Sequence, residues 1–302
     1  MKQELFTLPS TFDGLLLSVA MTRPEGEPKG IIQFVHGMIE HKERYYPIME
    51  WFSDHGYVCI ISDLRGHGAS VGSQEDLGYF GPNGWMAFVE DTKAVGDKAR
   101  GEFSGISFTL IGHSMGSLIV RSYLKRYDST IDRLIVSGSP SDNPAKGAGK
   151  ALAKTLQGVM GPRHRSKLLH KISFAGYNKD FKGDGFDRAW VCSDKKMLEA
   201  YHNDPLCRFI FTLDGFINLF DLMSDCYSAQ GWNVTKPDIP IRFVSGALDP
   251  CRISDEKWIA AIDFLTECGY SDVSGKLYPG MRHETFNERD KLTVWNDILK
   301  EL

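Results

Sequence analysis

One serine of this chain stands where a predicted strand gives way to a predicted helix. The apolar run Phe108–Ile111 is followed by Gly112, Ser114 and Gly116 in the spacing GxSxG, and then by a helical pattern over Met115–Tyr127. An abrupt strand-to-helix turn strains the backbone of its corner residue, and flanking glycines leave room where side chains would collide. The hydroxyl would project above the sheet at a helix N-terminus, which favours developing negative charge. The pattern predicts a nucleophilic Ser114 rather than a simple helix cap.

A serine nucleophile needs a base to take its proton, and the base needs an acid to orient it. We expect the base and the acid to lie after strands that come later in the chain. Among the nine histidines, His283 alone lies beyond the strand pattern that resumes at Ile241–Ser245. It is in the loop after a further predicted strand, where a parallel sheet presents its functional groups. Asp249 ends the preceding strand and would hold His283 in the correct tautomer. Asp255 and Asp263 are alternatives, but both fall in a helical pattern.

Acyl transfer also needs two preorganised N–H donors for the oxyanion. The residue after the nucleophile, Met115, would supply one, and the turn after the strand Gly30–Val35 the other. In that turn, Gly37 lets the backbone bend inward, so that Met38 would donate its amide. His36 precedes the turn, which favours a structural hydrogen bond over a role as base.

Short apolar runs rich in β-branched residues alternate with helical patterns along much of the chain. Such runs are typical of strands buried on both faces of a parallel sheet. The predicted strands are Leu15–Ala20, Gly30–Val35, Tyr57–Ser62, Phe108–Ile111, Leu134–Ser137, Ile241–Ser245 and Lys276–Tyr278. Helices are predicted over Tyr45–His55, Trp85–Phe103 and Met115–Tyr127. The alternation predicts a doubly wound α/β sheet.

The alternation lapses over residues 141–237, where the pattern is mostly helical or irregular. We interpret 141–237 as an inserted cap, and residues 1–140 and 238–302 as the core. The alternative is a set of extra core helices without a lid role.

The predicted cap has two unusual features. Residues 143–179 contain eight Lys and Arg and no Asp or Glu. With apolar residues at helical spacing, this basic segment predicts contact with anionic amphiphiles or a membrane surface; the alternative is a solvated lid helix. The dense apolar run over 209–223 could line a tunnel for an acyl chain or form the core of the cap.

Composition narrows the class of protein further. The 302 residues carry 35 Lys and Arg against 39 Asp and Glu, which argues against a nucleic-acid-binding protein. The chain has no apolar run long enough to span a membrane and no signal-peptide pattern at its start. Six scattered cysteines without a CxxC pair are typical of reduced thiols in the cytoplasm. We expect no cofactor, because the turn Asp63–Gly68 lacks a nucleotide-binding spacing and is interpreted as a structural Asp–Arg–His hydrogen-bond set. We expect no metal, because the scattered cysteines lack the spacing of a zinc site.

Four blocks of the sequence resemble the α/β-hydrolase superfamily. They are His36–Tyr45, Asp63–Ser70, Gly112–Gly116, and Gly246–Asp249 with His283-Glu284. The resemblance is to the serine aminopeptidase-like branch, which holds monoacylglycerol lipases and bacterial lysophospholipases. It implies a mostly parallel sheet of eight strands, the Ser114, Asp249 and His283 triad, and oxyanion donors at Met38 and Met115. It also implies that Glu40 and Arg44 form an ion pair that shapes the site, and that Glu40, His41 and Arg44 contact the substrate.

These observations predict a serine hydrolase that cleaves a carboxylic ester through an acyl-enzyme. The expected substrate is a lipid with one acyl chain, either a monoacylglycerol or a lysophospholipid. One alternative is an aminopeptidase or amide hydrolase, which would need acidic groups in the cap; Asp180, Asp184 and Asp187 are available, although the acid-free segment weighs against it. A second alternative is a non-catalytic ligand-binding protein with the same fold. The presence of all three triad residues argues against this alternative. The sequence does not predict the oligomeric state.

Overall fold

The computed structural model describes residues 2–302 and contains one sheet of eight strands. The strands are β1 Lys2–Pro9, β2 Leu16–Arg23, β3 Gly30–Val35, β4 Tyr57–Ser62, β5 Ser107–His113, β6 Arg133–Ser137, β7 Ile241–Gly246 and β8 Val273–Tyr278. Their order across the sheet is β1-β2-β4-β3-β5-β6-β7-β8. Only the pairings of β2, with β1 and with β4, are antiparallel among the described strands. The predicted doubly wound, mostly parallel sheet is confirmed.

Nine α-helices occur in the described residues, and three of them match the predicted ones to within one or two residues. The helices are α1 Tyr46–Asp54, α2 Gly84–Glu102, α3 Met115–Tyr127, α4 Lys146–Met160, α5 Lys167–Ser173, α6 Lys195–Asn203, α7 Leu213–Cys226, α8 Asp255–Glu267 and α9 Lys291–Glu301. Strand β1 was not among the predicted strands. It is an edge strand with alternating exposure, so it lacks the continuous apolar run that marks the buried strands.

Helices cover both faces of the sheet, and strand β3 shows why nearly all of its residues are apolar or small. Ile31 belongs to the core cluster on the side of α2, α3, α7 and α8. Ile32, its neighbour, belongs to the cluster on the side of α1 and α9. Successive side chains of a strand point to opposite faces, so a strand covered on both sides buries every position. Its one polar side chain, Gln33, donates from Nε2 to the carbonyl oxygen of Thr92 at 2.9 Å.

Between β6 and β7 the chain forms four helices, α4 to α7. Helix α7 packs against α2 and α3 of the sheet layer as well as against α4. In the apolar run 209–223, Phe211, Leu213 and Phe216 are fully buried in the main core, whereas Phe220 and Met223 line a cavity. The run therefore contributes both to the main core and to the cavity wall, and its role in holding an acyl chain stays a prediction. No helix among residues 2–302 combines the length and apolarity needed to cross a bilayer.

The turn after β4 is structural, as predicted, but its partners differ from the predicted set. Asp63 accepts hydrogen bonds from the backbone amide and the ammonium group of Lys42, both at 2.8 Å. Arg65 instead pairs with Asp91, at 2.8 Å, in a buried cluster. The predicted partners were wrong because the prediction considered only charged residues within the turn, whereas Lys42 and Asp91 come from other segments of the chain.

Two glycines allow α3 to start directly beneath the turn after β3. A Cβ atom on Gly116 would lie 2.1 Å from the carbonyl oxygen of Val35, and one on Gly112 would lie 2.5 Å from that of Gly116. Both obstacles are backbone atoms that a side-chain rotation does not relieve. The GxSxG spacing is therefore a requirement of packing as well as of chemistry.

Gly116→Ala is expected to lower the free energy of unfolding by about 3 kcal/mol, because the added methyl overpacks the turn. Gly158→Ala is the matched control: its Cβ meets nothing within 4 Å in α4, so alanine should raise that free energy by about 0.5–1 kcal/mol. Chemical denaturation measures both. Equal free energies of unfolding for the two variants would contradict the packing argument.

Candidate active site

Ser114 occupies the turn between β5 and α3 in a backbone conformation that is rare for a residue with a side chain. Its φ is +53° and its ψ is −119°. The amide of Ser114 donates to the carbonyl oxygen of Ser137 at the end of β6, at 2.9 Å. Such strain persists only where the surroundings hold it, and it is common at functional sites. The half-buried side chain lines a cavity with mainly apolar walls.

His283 and Asp249 meet at the carboxyl ends of β7 and β8. Nδ1 of His283 lies 2.9 Å from Oδ2 of Asp249, and both side chains are buried. The carboxylate of Asp249 also accepts from the Ser245 hydroxyl at 3.1 Å and from the Cys251 amide at 2.8 Å. The alternative acid Asp255, the first residue of α8, is exposed and pairs with Arg252 in the preceding turn. The structure thus places Asp249, and not Asp255, beside the histidine.

The charge of Asp249 controls the protonation of His283. Burial alone would lower the pKa of the imidazole, but the adjacent Asp249 carboxylate outweighs it and the net pKa is raised well above its ordinary value. His113, whose ring centre lies 4.7 Å from that of His283, has no such partner, and burial lowers its pKa to about 3. His283 is therefore the imidazole of this pair that takes a proton.

Ser114 and His283 line the same cavity, and the imidazole Nε2 faces it from beside Cys251, whose Sγ is 4.0 Å away. Among the described residues no hydrogen bond joins the Ser114 hydroxyl to this nitrogen. Catalytic hydrogen bonds are commonly long in a ligand-free site and tighten in the substrate complex.

The two predicted oxyanion donors also line the cavity. Met115 is the first residue of α3, where a backbone N–H has no partner within the helix. No hydrogen bond between described residues uses the amide of Met38. A Cβ atom on Gly37 would come within 2.9 Å of the Cβ of Ser114, so only glycine lets this turn approach the nucleophile.

A buried ion cluster supports the turn after β3 that carries Gly37 and Met38, the oxyanion turn. Glu40 accepts a hydrogen bond from the amide of Gly37 and pairs with Arg44 at 3.0 Å, which confirms the predicted ion pair. The main partner of Arg44, however, is Glu284, which it binds through two hydrogen bonds of 2.6 Å. Burial opposes ionisation of Glu284, yet Arg44 lowers its pKa, whereas burial raises the pKa of Glu40. The sequence signal for Glu284 was its position directly after His283.

The prediction that His41 and Arg44 contact the substrate needs correction, because neither lines the cavity. Both side chains turn away beneath the oxyanion turn. His41 lies between Glu43 and Asp204, the latter 2.7 Å from Nε2. Burial would lower its pKa, but hydrogen bonds with Cys207, Glu43 and Asp204 outweigh burial and raise it to about 11. Of the three predicted contact residues, only Glu40 reaches the cavity wall.

The inserted segment holds the oxyanion turn from the other side. The hydroxyl of Tyr201 in α6 donates to the carbonyl oxygen of Ile39 at 3.3 Å. Ile39 has φ +59°, so this turn, like the Ser114 turn, is strained. The guanidinium of Arg44 lies 4.7 Å above the ring of Tyr201. These contacts of Tyr201 were not predictable, because they join segments more than 150 residues apart.

The cavity above Ser114 encloses about 1230 Å³, including its open mouth. Its walls are mainly apolar. They include Leu118, Leu169, Ile172, Phe174, Trp190, Leu219, Phe220 and Met223. An apolar cavity with a few convergent polar groups is typical of a small-molecule site.

Two sets of side chains hold potential metal-ligating atoms within 4.8 Å of one another: His41, Asp204 and Cys207, and Asp249, Cys251 and His283. In each set the histidine already forms hydrogen bonds with carboxylates, which accounts for the proximity. The second set contains the predicted triad acid and base. We assign no metal to either set.

Comparisons with known proteins agree on the fold. A family model described as serine aminopeptidase, S33, matches residues 26–290. A monoacylglycerol lipase of Mycolicibacterium smegmatis is 26% identical over 276 residues, covering 91% of this chain and 88% of that protein. Phospholipase YtpA of Bacillus subtilis is 26% identical over 270 residues, covering 89% and 93%. The structure of a thermostable carboxyl esterase from Bacillus coagulans matches with a TM-score of 0.89 and 24% identity, over 99% of this chain and 97% of that one.

Asp249→Asn removes the charge that raises the pKa of His283 while keeping the shape of the side chain. We expect kcat/KM for a p-nitrophenyl ester to fall by about 10³–10⁴-fold. The acid limb of the residual pH profile should move to lower pH, because a His283 of lower pKa stays neutral in more acidic solution.

Asp255→Asn is the control for this variant, since it removes an exposed carboxylate from the same region. Its rate and pH profile should match those of the wild type. An Asp249→Asn profile with an unshifted acid limb would contradict the assigned coupling.

Proposed function

The chain belongs to the serine aminopeptidase, S33, family of α/β-hydrolases, and we propose that it is a serine hydrolase of lipids with one acyl chain. The substrate would be a monoacylglycerol or a lysophospholipid, the classes suggested by the names of its relatives. The observation that carries the proposal is the meeting of Ser114, His283 and two free backbone amides at one apolar cavity. Residues 141–237 would act as the cap over that cavity.

In the proposed acylation step, Nε2 of His283 takes the proton of Ser114 as its oxygen attacks the ester carbonyl carbon. Asp249 keeps the imidazole oriented and stabilises the imidazolium. The amides of Met38 and Met115 would stabilise the negative oxygen of the tetrahedral intermediate. Collapse breaks the ester bond, and the leaving alkoxide takes the proton from His283, which yields the free alcohol and an acyl-enzyme.

Deacylation repeats the sequence with water as the nucleophile. His283 removes a proton from water as the water attacks the acyl carbon, and the intermediate again rests on the two amides. Collapse releases the fatty acid and returns the proton to the Ser114 oxygen. Each turnover consumes one water and leaves the enzyme unchanged.

The walls of the cavity favour an ester over a peptide substrate. An aminopeptidase needs a carboxylate free to hold the substrate ammonium. The carboxylates that line the cavity, Glu40 and Glu284, both bind Arg44. Asp184, one of the acids considered for that role, pairs with Arg282 instead. The apolar side chains of α7 are suited to an acyl chain rather than to a charged terminus.

Ser114→Ala tests the proposal directly, because it removes the nucleophile and little else. Hydrolysis of a monoacylglycerol should fall by about 10⁴-fold or more, with an unchanged circular dichroism spectrum and melting temperature. Ser224→Ala, at an exposed position on α7, should retain wild-type activity. Unchanged turnover in the Ser114 variant would overturn the proposal.

We also propose that the cap contacts a membrane surface near the mouth of the cavity. Four apolar side chains of this segment are exposed: Val159 by 85%, Met160 by 50%, Leu168 by 58% and Ile172 by 53%. Ile172 also lines the catalytic cavity, so at least this exposed side chain adjoins the substrate site. Exposed apolar residues beside basic ones are typical of segments that lie in a membrane interface.

The eight basic residues of the segment fall into three groups. Arg165 donates only to backbone carbonyl oxygens, those of Glu75, Leu77 and Ile210. Lys146, Lys150 and Arg163 are paired with aspartates and contribute little free charge. The exposed lysines 154, 167, 171 and 179 form no ion pair with any of residues 2–302. These lysines would attract an anionic surface.

Because the cysteines are all unpaired thiols, we further propose that this surface faces the cytoplasm.

The double variant Val159→Ser and Leu168→Ser should co-sediment several-fold less with anionic vesicles than the wild type, because it removes most of the apolar contact. The control is Leu16→Ser with Leu292→Ser, which alters two equally exposed leucines outside the cap. Equal recovery of the wild type with neutral and anionic vesicles would contradict the charge-driven contact.

A further inference from the structure

Most charged side chains on the wall of the catalytic cavity have a partner of opposite charge. Glu40 and Glu284 share the guanidinium of Arg44 beneath the oxyanion turn. Lys146, near the start of α4, pairs with Asp142. These three side chains are therefore already engaged in ion pairs within the protein.

Arg188 is the exception on this wall. It lines the cavity with Ser114 and His283, and no carboxylate within residues 2–302 forms an ion pair with it. Its side chain is half-buried. A partly desolvated cation without a counter-charge is costly, and proteins usually keep such a group where a ligand supplies the opposite charge.

Neutral acceptors fix the orientation of this guanidinium. Nη1 donates to the Tyr201 hydroxyl at 2.9 Å and to the carbonyl oxygen of Cys207 at 3.3 Å. Nη2 donates to Nε2 of His170 at 3.4 Å. Burial, together with the charge of Arg188, lowers the pKa of His170 to about 4, so this imidazole is a neutral acceptor at pH 7. The contacts orient the guanidinium without neutralising it.

Arg188 also takes part in the wall of a second cavity. Arg188 and Tyr201 line it together with Arg208, His202 and Asp187, and with the apolar side chains of Phe186 and Leu198. In this region the two arginines outnumber the single carboxylate of Asp187. The charged groups around Arg188 are therefore more often cationic than anionic.

We propose that Arg188 binds the phosphate of a lysophospholipid head group while the acyl ester lies at Ser114. The planar guanidinium fork matches the spacing of phosphate oxygens and stays charged at every physiological pH. The inference rests on the proposed function and sharpens it: among lipids with one acyl chain, those with an anionic phosphate head group are the preferred substrates. Arg188 is a specificity-determining residue and takes no part in the bond-breaking steps.

The test compares two lipids with the same short acyl chain, a lysophosphatidic acid and a monoacylglycerol, below their critical micelle concentrations. In Arg188→Met, kcat/KM for the phosphate lipid should fall by about 10- to 100-fold, mainly through KM, while that for the monoacylglycerol changes by less than about 3-fold. Arg188→Lys should restore part of the loss, because it keeps the charge but not the fork. Arg289→Met, which removes an exposed arginine outside both cavities, should change neither value.

The ratio of the two kcat/KM values separates recognition from a structural role. If Arg188 only supports the cap, the Met variant lowers both values equally, and that result would overturn the inference while leaving the proposed function intact. If the wild type hydrolyses neither lipid, the proposed function fails. The ratio of binding constants for the same two lipids, measured by fluorescence competition, then tests Arg188: a ratio unchanged by Arg188→Met overturns the inference.

Discussion

The close approach of two turns is the constraint on which the site depends. The turn after β3 lies against the turn between β5 and α3, so that a Cβ atom on Gly116 would collide with the carbonyl oxygen of Val35 and one on Gly37 with the Cβ of Ser114. Any side chain at either glycine would force the turns apart. Their contact places two backbone amides at one cavity with a strained serine. Strain at Ser114 and at Ile39, both with positive φ, is the local cost of this arrangement.

Charge around this contact is arranged so that one group accepts a proton. Asp249 raises the pKa of His283, whereas burial lowers the pKa of the neighbouring His113. Arg44 lies between the carboxylates of Glu40 and Glu284 beneath the turn and, against the effect of burial, holds the pKa of Glu284 below its ordinary value. An apolar cavity above the site then strengthens each remaining electrostatic interaction. These features together favour acyl transfer over simple ligand binding.

Features that depend on a short stretch of chain were predictable from the sequence. The alternation of apolar runs gave most of the sheet, and the positions of Ser114, Asp249 and His283 follow from where strands end. Contacts between distant segments were not predictable, because no local pattern records them. Tyr201 meets Ile39 only when residues 141–237 pack against the rest of the chain, and Arg188 meets Tyr201 only when that segment itself has folded. The surroundings of His41 were not predicted for the same reason, since its partner Asp204 lies in the same segment.

The central claim is that this fold makes the hydroxyl of Ser114, among all the serines of the chain, a nucleophile. Reaction with a fluorophosphonate probe, followed by peptide mass spectrometry, measures that property without assuming any substrate. The account predicts one covalent adduct per chain, on the peptide that contains Ser114, and no adduct after prior unfolding. A folded protein that takes up no probe, or takes it up at another serine, would contradict the account.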